Sequence, residues 1–232
     1  MRLLAFTIVV SLASATVVDA SAGDAIVAGR VHRERGFAPP RLVDDLRADV
    51  TALAEAGLFS SAGSGGRAGG ADTVRDALYC DPVSRDRSVG NWHAFFATWE
   101  RLDVVRQELA EAIGLPLLEE MEMHYVHYEH GGHYHRHVDE SNDSEASSRR
   151  CVSFVLYLTP CDEPWEHGDG GALRAFSHAA SHNEDGGMAA SVDILPESGQ
   201  LVLFDACTVE HEVLPTRRKR TCLIGWFHTP VR

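Results

Sequence analysis

The chain has 232 residues, a length that fits one domain and leaves room for an all-β barrel or sandwich. Its 44% hydrophobic and 24% charged residues are ordinary for a globular protein and exclude wholesale disorder. With 21 basic against 34 acidic residues, the formal net charge is −13, which argues against a general nucleic-acid-binding protein.

The N-terminus has the pattern of a secretory signal peptide. Arg2 precedes an apolar stretch, and small residues follow it in two motifs that end at Ala15 and Ala22. We therefore predict a signal peptide over residues 1–22. Its apolar stretch is too short to cross a bilayer, so we expect no stable membrane span in the mature chain. Cleavage would place the protein in the endoplasmic reticulum lumen or outside the cell, and an uncleaved chain would be cytoplasmic.

Two helices are predicted in the N-terminal half. Pro39 and Pro40 open the first, whose apolar side chains recur at helical spacing until Gly57. The second runs over residues 91–112 and has an apolar stripe suited to packing on a sheet. Between the helices, residues 60–72 are rich in Ser, Gly and Ala. This composition predicts a flexible loop, and loops of this length often act as lids.

Beyond Gly114 the pattern changes to short β-strands. Runs rich in Val, Leu, Phe and Tyr alternate with Gly, Pro, Asp and Asn, as strands joined by turns do. The predicted strands span residues 121–128, 151–158, 173–176, 191–195, 200–205 and 221–227. Helices followed by a series of strands predict a mainly β fold, a cupin-like jelly roll or double-stranded β-helix. We assign one domain to 23–232, with helical support and the lid loop in 23–114 and the jelly-roll core in 115–232.

The β region contains a candidate metal site. His137 and Asp139 lie two residues apart, so an extended strand would turn both side chains to one face, together with His133 and His135. His211 follows a later apolar strand and comes just before a turn. Two histidines and one carboxylate can occupy one face of an iron(II) octahedron and leave three positions open. The set therefore predicts an oxygenase.

Arg220 is a candidate anchor for an anionic ligand. It begins the last apolar strand, where a charge without a carboxylate partner would be costly. A guanidinium group binds a carboxylate through two parallel hydrogen bonds. We therefore predict that Arg220 holds a dicarboxylate cosubstrate near the metal, and we group it with His137, Asp139 and His211 as the catalytic set.

Residues 121–227 resemble the catalytic core of iron(II)- and 2-oxoglutarate-dependent oxygenases of the prolyl 4-hydroxylase superfamily. The segments that carry the resemblance lie in the same order and at similar spacing, at residues 132–139, 150–158, 170–174, 211–213 and 220–226. Arg220, where the collagen type has lysine, makes the chain more similar to oxygen-sensing prolyl hydroxylases.

The resemblance implies a complete active site. It implies that His137, Asp139 and His211 hold Fe(II), and that Arg220 and Tyr157 bind 2-oxoglutarate. Tyr128 is a second candidate tyrosine, after a loop one residue shorter than in the family. The implied reaction uses dioxygen, with ascorbate as reductant. It yields succinate and hydroxylates a C–H bond, with a peptidyl proline as the favoured substrate, as in procollagen-proline 4-dioxygenases. The loop over 60–72 falls where the family has a mobile substrate-covering loop.

Two other classes of protein remain open from the residues alone. His135, His137 and Asp139 imitate the start of the H-x-H-x-D-H signature of zinc hydrolases, although Glu140 stands where its last histidine would be. A non-catalytic cupin-like module that binds a metal or a sugar would also explain the histidines. Such a module would leave Arg220 without a role.

Overall fold

The computed structural model describes residues 17–61, 75–140, 144–176 and 191–230. The helices are α1 (Ser21–Val27), α2 (Pro40–Glu55) and α3 (Trp92–Ile113). The strands are β1 (His32–Glu34), β2 (Leu78–Cys80), β3 (Met121–Tyr128), β4 (Tyr134–His137), β5 (Arg150–Tyr157), β6 (Leu173–Phe176), β7 (Ser191–Ile194), β8 (Leu201–Asp205), β9 (His211–Val213) and β10 (Arg220–His228).

The strands form two antiparallel sheets. The larger sheet has the order β1-β8-β5-β10-β3-β2, and the smaller has the order β4-β9-β6-β7. One hydrophobic cluster joins the large sheet to the helices, and a second one combines side chains of the two sheets. Helices on one face and a second sheet on the other confirm the predicted mainly β, double-stranded β-helix architecture.

Alternation along the central strands decides which residues face the cavity between the sheets. On β5, Phe154 and Leu156 belong to the cluster with the helices, whereas Val155 and Tyr157 belong to the cluster between the sheets. Both faces are buried, so the strand reads as a nearly continuous apolar run. The same alternation on β10 places Arg220 on the inner face, in phase with Cys222.

The helices α2 and α3 confirm the two predicted helices. The side chain of Asn91 accepts a hydrogen bond from the Ala94 amide at 3.1 Å and so caps the start of α3. Gly114 ends the helix with a φ of 68°, a left-handed conformation that favours glycine. Gly57, with a φ of 71°, follows the end of α2 in the same way.

The helix α1 was not predicted, and only its first two residues, Ser21 and Ala22, lie in the predicted leader. It buries Ala22 and Ile26 against the other helices and the large sheet. Just before it, the carboxylate of Glu108 on α3 accepts hydrogen bonds from the backbone amides of Val17 at 3.0 Å and Val18 at 3.1 Å. The chain is therefore part of the folded domain from Val17 onward, and the predicted boundary at Ala22 falls inside α1.

Some sequence predictions concern other parts of the chain. The loop predicted over 60–72 lies outside the described residues from position 62 onward. The five cysteines all lie within the described ranges, and each is a free thiol. None of the helices in these ranges is long and apolar enough to cross a membrane.

Candidate active site

Antiparallel pairing of β4 with β9 brings the three predicted metal ligands together. His137 and His211 are direct cross-strand partners, and Asp139 follows β4 by two residues. One ligand atom from each residue lies within 4.8 Å of the other two. The Nε2 atom of His137 is 3.4 Å from Oδ1 of Asp139, and Nε2 of His211 is 3.7 Å from Oδ2. Among the described residues this is the one cluster with the donors and spacing of a metal site.

Backbone carbonyls fix the orientation of both imidazoles. The Nδ1 atom of His137 donates to the carbonyl oxygen of His135 at 2.7 Å, and Nδ1 of His211 donates to that of Val209 at 3.1 Å. A carbonyl can only accept, so the proton of each neutral ring lies on Nδ1 and the Nε2 lone pair faces the centre of the cluster. The ring of Tyr134 stacks on that of His137 with 3.7 Å between centroids.

The protonation states also suit a metal site. Burial lowers the pKa of His211, which favours the neutral imidazole that a metal requires. Burial alone would raise the pKa of Asp139, but the nearby His211 and His137 and a hydrogen bond from Ser153 bring it below its ordinary value. These shifts favour a neutral imidazole at His211 and an ionised carboxylate at Asp139.

The prediction that His133, His135 and His137 share a face was wrong. The pairing of β4 with β9 is irregular between Tyr134 and His137, so the alternation expected of a regular strand is broken there. His135 is exposed, and its ring lies 4.9 Å from that of His133. Tyr134 takes the place beside the metal ligand.

Arg220 is a buried cation without a carboxylate partner. It is 1% exposed, and the groups that act on its charge among the described residues are Cys222, Tyr157 and Tyr128, with no carboxylate. Its guanidinium carbon lies 4.8 Å from the ring centroid of Tyr128 and 5.2 Å from that of Tyr157. The Nε atom of Arg220 and the hydroxyl of Tyr157 are buried without a hydrogen-bond partner in the described chain. A buried cation with these surroundings is suited to bind an anion.

Both tyrosines are neutral donors. Burial raises the pKa of Tyr157 to about 12, although the charge of Arg220 acts in the opposite direction. Burial likewise raises the pKa of Tyr128 well above its ordinary value. Each hydroxyl is therefore protonated at neutral pH and can donate to an anion beside Arg220. Tyr128 and Arg220 line the same cavity as the metal-ligand cluster, whereas Tyr157 is fully buried.

The cavity has further walls that were not predicted as site residues. They include the cationic or aromatic side chains Arg75, Tyr79, Tyr134, Arg150, Phe204 and Trp226, together with Glu122, His124 and several aliphatic residues. Arg75 and Tyr79 reach the site because the Asp76 amide donates to the carbonyl of His133 at 2.8 Å, which ties the segment before β2 to the start of β4. Their position directly after the predicted lid loop was the available signal in the sequence.

Arg150 connects the metal-ligand segment to the large sheet. Its Nη1 atom donates to the main-chain carbonyl of Asp139 at 2.9 Å, and its Nη2 atom donates to the carboxylate of Glu122 at 2.6 Å. Its guanidinium carbon lies 3.7 Å from the ring centroid of Trp226. Arg150 therefore fixes the position of the Asp139 backbone relative to Glu122 and Trp226 in the cavity wall.

Comparison with known proteins agrees with this geometry. Residues 123–228 match the model of the 2OG-Fe(II) oxygenase superfamily. The structure resembles a Pseudomonas putida prolyl-4-hydroxylase with 29% identity and a TM-score of 0.70, over 91% of this chain and 98% of that one. A Trichoplax adhaerens prolyl hydroxylase, solved with a hypoxia-inducible-factor peptide, shares the fold at 20% identity and a TM-score of 0.71, over 90% of each chain.

The same fold extends to a different reaction. The epimerase SnoN from nogalamycin biosynthesis, an α-ketoglutarate-dependent non-haem enzyme, aligns at 14% identity and a TM-score of 0.63, over 89% of this chain and 81% of that one. The family match and the likeness to the P. putida enzyme favour neither a zinc hydrolase nor a non-catalytic cupin. Over residues 123–228 the chain therefore matches the 2OG-Fe(II) oxygenase superfamily, and its architecture is similar to that of a prolyl 4-hydroxylase.

Proposed function

We propose that this oxygenase hydroxylates proline residues in peptide or protein substrates. In this proposal His137, Asp139 and His211 hold Fe(II), and Arg220 with Tyr157 and Tyr128 binds 2-oxoglutarate. The observation that carries the site assignment is the buried guanidinium of Arg220, which has no carboxylate partner among the described residues and lines the same cavity as the three metal ligands.

The residues present fit both groups. Two neutral imidazoles and one carboxylate are the donor set of non-haem iron(II) oxygenases. The planar fork of Arg220 matches a carboxylate, and the unpaired hydroxyl of Tyr157 can donate to the same group. When bound, iron(II) and 2-oxoglutarate supply the activation of dioxygen, which yields succinate, carbon dioxide and a hydroxylated product.

The chain's own part in the reaction is binding, orientation and exclusion of water. The carbonyls of His135 and Val209 keep two imidazoles aimed at one point. Arg220 neutralises one end of a dianionic cosubstrate inside the apolar interior between the sheets, where water cannot compete for it. These fixed contacts place the cosubstrate before the reaction, so little reorganisation remains.

A peptide substrate fits the outer part of the cavity. Tyr79, Tyr134 and Trp226 supply aromatic surface, against which a proline ring can pack. The Nε1 atom of Trp226 is buried without a hydrogen-bond partner in the described structure. An indole N–H can only donate, so the missing partner is an acceptor such as a peptide carbonyl. The likeness to the P. putida prolyl-4-hydroxylase supports the same substrate class.

The test is succinate formation by the full chain with Fe(II), 2-oxoglutarate and ascorbate, with and without proline-containing peptides. Matched peptides with alanine in place of proline serve as controls, and mass spectrometry locates any added oxygen atom. We expect succinate and hydroxyproline to form together with the proline peptides only. Succinate formation that no peptide stimulates would overturn the peptidyl-proline assignment and keep the oxygenase. Iron-loaded protein that forms no succinate would overturn the site assignment.

We also propose that the leader is cleaved and that the enzyme works in the secretory pathway. The burial of Ala22 and the anchoring of Val17 and Val18 by Glu108 favour the upstream small-residue motif, which ends at Ala15. N-terminal sequencing of the exported protein is expected to begin at Thr16. A product that begins at Gly23 would contradict this site, and an uncleaved cytoplasmic chain would contradict the localisation.

A further inference from the structure

Ser153 is a polar residue in the middle of an otherwise apolar strand. Its neighbours on β5, Val152 and Phe154, are fully buried, and Ser153 itself is 1% exposed. A buried hydroxyl is costly unless it forms a hydrogen bond. The one it forms is with the metal-ligand cluster, since its Oγ atom donates to Oδ2 of Asp139 at 2.7 Å. The alternation on β5 explains the direction, because Ser153 is in phase with Val155 and Tyr157 on the inner face.

The two carboxylate oxygens of Asp139 therefore have different surroundings. Each oxygen lies near one imidazole, Oδ1 at 3.4 Å from Nε2 of His137 and Oδ2 at 3.7 Å from Nε2 of His211, but only Oδ2 accepts the hydrogen bond from Ser153 among the described residues. The main chain of the same residue is held as well, because its amide donates to the carbonyl of Ala206 at 3.1 Å and its carbonyl accepts from Arg150 at 2.9 Å. With the backbone fixed at both ends, the remaining freedom is rotation of the carboxylate, which the hydroxyl of Ser153 opposes.

We propose that Ser153 is a positioning residue that keeps Asp139 a ligand through one oxygen only. A facial set of three protein ligands leaves three positions for a chelating cosubstrate and dioxygen. If the carboxylate turned to bind through both oxygens, it would occupy one of those positions. The hydrogen bond from Ser153 engages a lone pair of Oδ2, which opposes binding through both oxygens and leaves Oδ1 as the favoured ligand atom. This inference rests on the proposed metal site and adds to it a residue outside the ligand set.

The first test is metal affinity without turnover. Cobalt(II) is titrated into the full chain and into the variants Ser153→Ala, Ser153→Thr and Thr98→Val. Removal of a hydrogen bond behind a metal ligand typically weakens metal binding by roughly 10- to 100-fold, and we expect this for Ser153→Ala. Ser153→Thr keeps the hydroxyl and is expected to restore most of the affinity. Thr98, whose buried hydroxyl donates to the carbonyl of Ala94 on α3, is the control for loss of a buried hydroxyl far from the metal.

The second test is the visible absorption of the bound cobalt, whose intensity depends on coordination number. We expect Ser153→Ala to show a changed spectrum and a reduced response to added 2-oxoglutarate, while Ser153→Thr resembles the wild type. Wild-type affinity and spectrum in Ser153→Ala would overturn the inference. Should Ser153→Ala fail to fold, Ser153→Cys keeps a weak donor of similar size and is expected to show intermediate affinity.

The outcomes separate this inference from the proposed function. A wild-type protein that binds cobalt but not 2-oxoglutarate would contradict the proposed cosubstrate site, while a loss of metal affinity in Ser153→Ala would still support the role of Ser153. Active wild-type enzyme together with unaltered metal binding in Ser153→Ala would contradict the role of Ser153 alone.

Discussion

Two buried arginines of this protein differ in how the surrounding chain neutralises their charge. Arg85 is paired with Asp49, whose carboxylate oxygens both lie 2.7 Å from its Nη1 atom and which also accepts from the hydroxyl of Tyr125 at 2.8 Å. Arg220 is equally buried, but its side-chain contacts among the described residues are with the neutral Tyr128 and Tyr157 and the thiol of Cys222. The first cation is neutralised by the fold. The described residues provide no counter-charge for the second one, which is why we propose that it binds 2-oxoglutarate.

The largest change in unfolding free energy is expected at the buried pair of Asp49 and Arg85. Asp49→Ala leaves Arg85 buried without a counter-charge, and breaking a buried pair in this way costs about 3–5 kcal/mol of unfolding free energy. Urea denaturation measures the loss, with Asp44→Ala on the exposed side of the same helix as the control. If Asp49→Ala unfolded at the same urea concentration as the control, the pair would not be the structural element that the comparison requires.

A different outcome is expected at Arg220. Arg220→Leu removes a buried charge that has no protein counter-ion, so the unfolding free energy should stay the same or rise. The dissociation constant for 2-oxoglutarate should rise by roughly 10- to 100-fold, because hydrogen bonds to a charged group are lost. Arg220→Lys keeps the charge without the planar fork and should fall between leucine and wild type.

Ligand-dependent stabilisation measures this change directly. Saturating 2-oxoglutarate with cobalt(II) should raise the stability of the wild type by about 2.7 kcal/mol at a ligand concentration of 100 times the dissociation constant, and that of Arg220→Leu far less. A loss of stability in ligand-free Arg220→Leu as large as that in Asp49→Ala would remove the contrast between the two arginines.

The smallest effect concerns the tyrosines beside Arg220. If Tyr157 were ionised it would be the counter-ion of Arg220, but burial raises its pKa to about 12. A folded-state pKa above the ordinary value of about 10 means that its contribution to stability is complete below about pH 10 and is lost as the pH rises toward 12. In an absorbance titration of tyrosinate, Tyr157→Phe should therefore match the wild type up to about pH 11. If Tyr157→Phe instead showed one ionising tyrosine fewer than the wild type near pH 10, Tyr157 would ionise at its ordinary pKa. It could then itself be the counter-ion of Arg220.

The sequence was sufficient for the long elements and for the three residues that form the candidate metal site. The predicted strand over residues 121–128 has the same bounds as β3, and α3 differs from its predicted range by one residue at each end. These elements carry their pattern in their own residues, over several turns or pleats. His137, Asp139, His211 and Arg220 were found because their order and spacing repeat a known arrangement, a signal that does not depend on exact strand bounds.

The remaining elements depend on contacts that are remote in sequence. Strands β1, β2 and β9 have three residues each, too few to show a period, and they exist because neighbouring strands pair with them. The irregular pairing that turns Tyr134 toward His137 has no local signature. In the sequence, Ser153 is a small residue in an apolar run, and its role depends on a hydrogen bond to Asp139 that only the fold creates. Helix α1 was missed because apolar and small residues near an N-terminus also describe a leader.

The cross-strand pairing of His137 with His211 has a consequence for how the protein is held together. The strand β4 is the last strand of the small sheet, has only four residues and pairs in register with β9 at two positions. A metal ion bound by both histidines would join β4 and β9 through their side chains as well as their backbones. Bound iron would then cross-link the edge strand β4 to its neighbour β9. Amide hydrogen exchange in β4 should slow when the metal binds, while that in the central strands β5 and β10 should stay as it is.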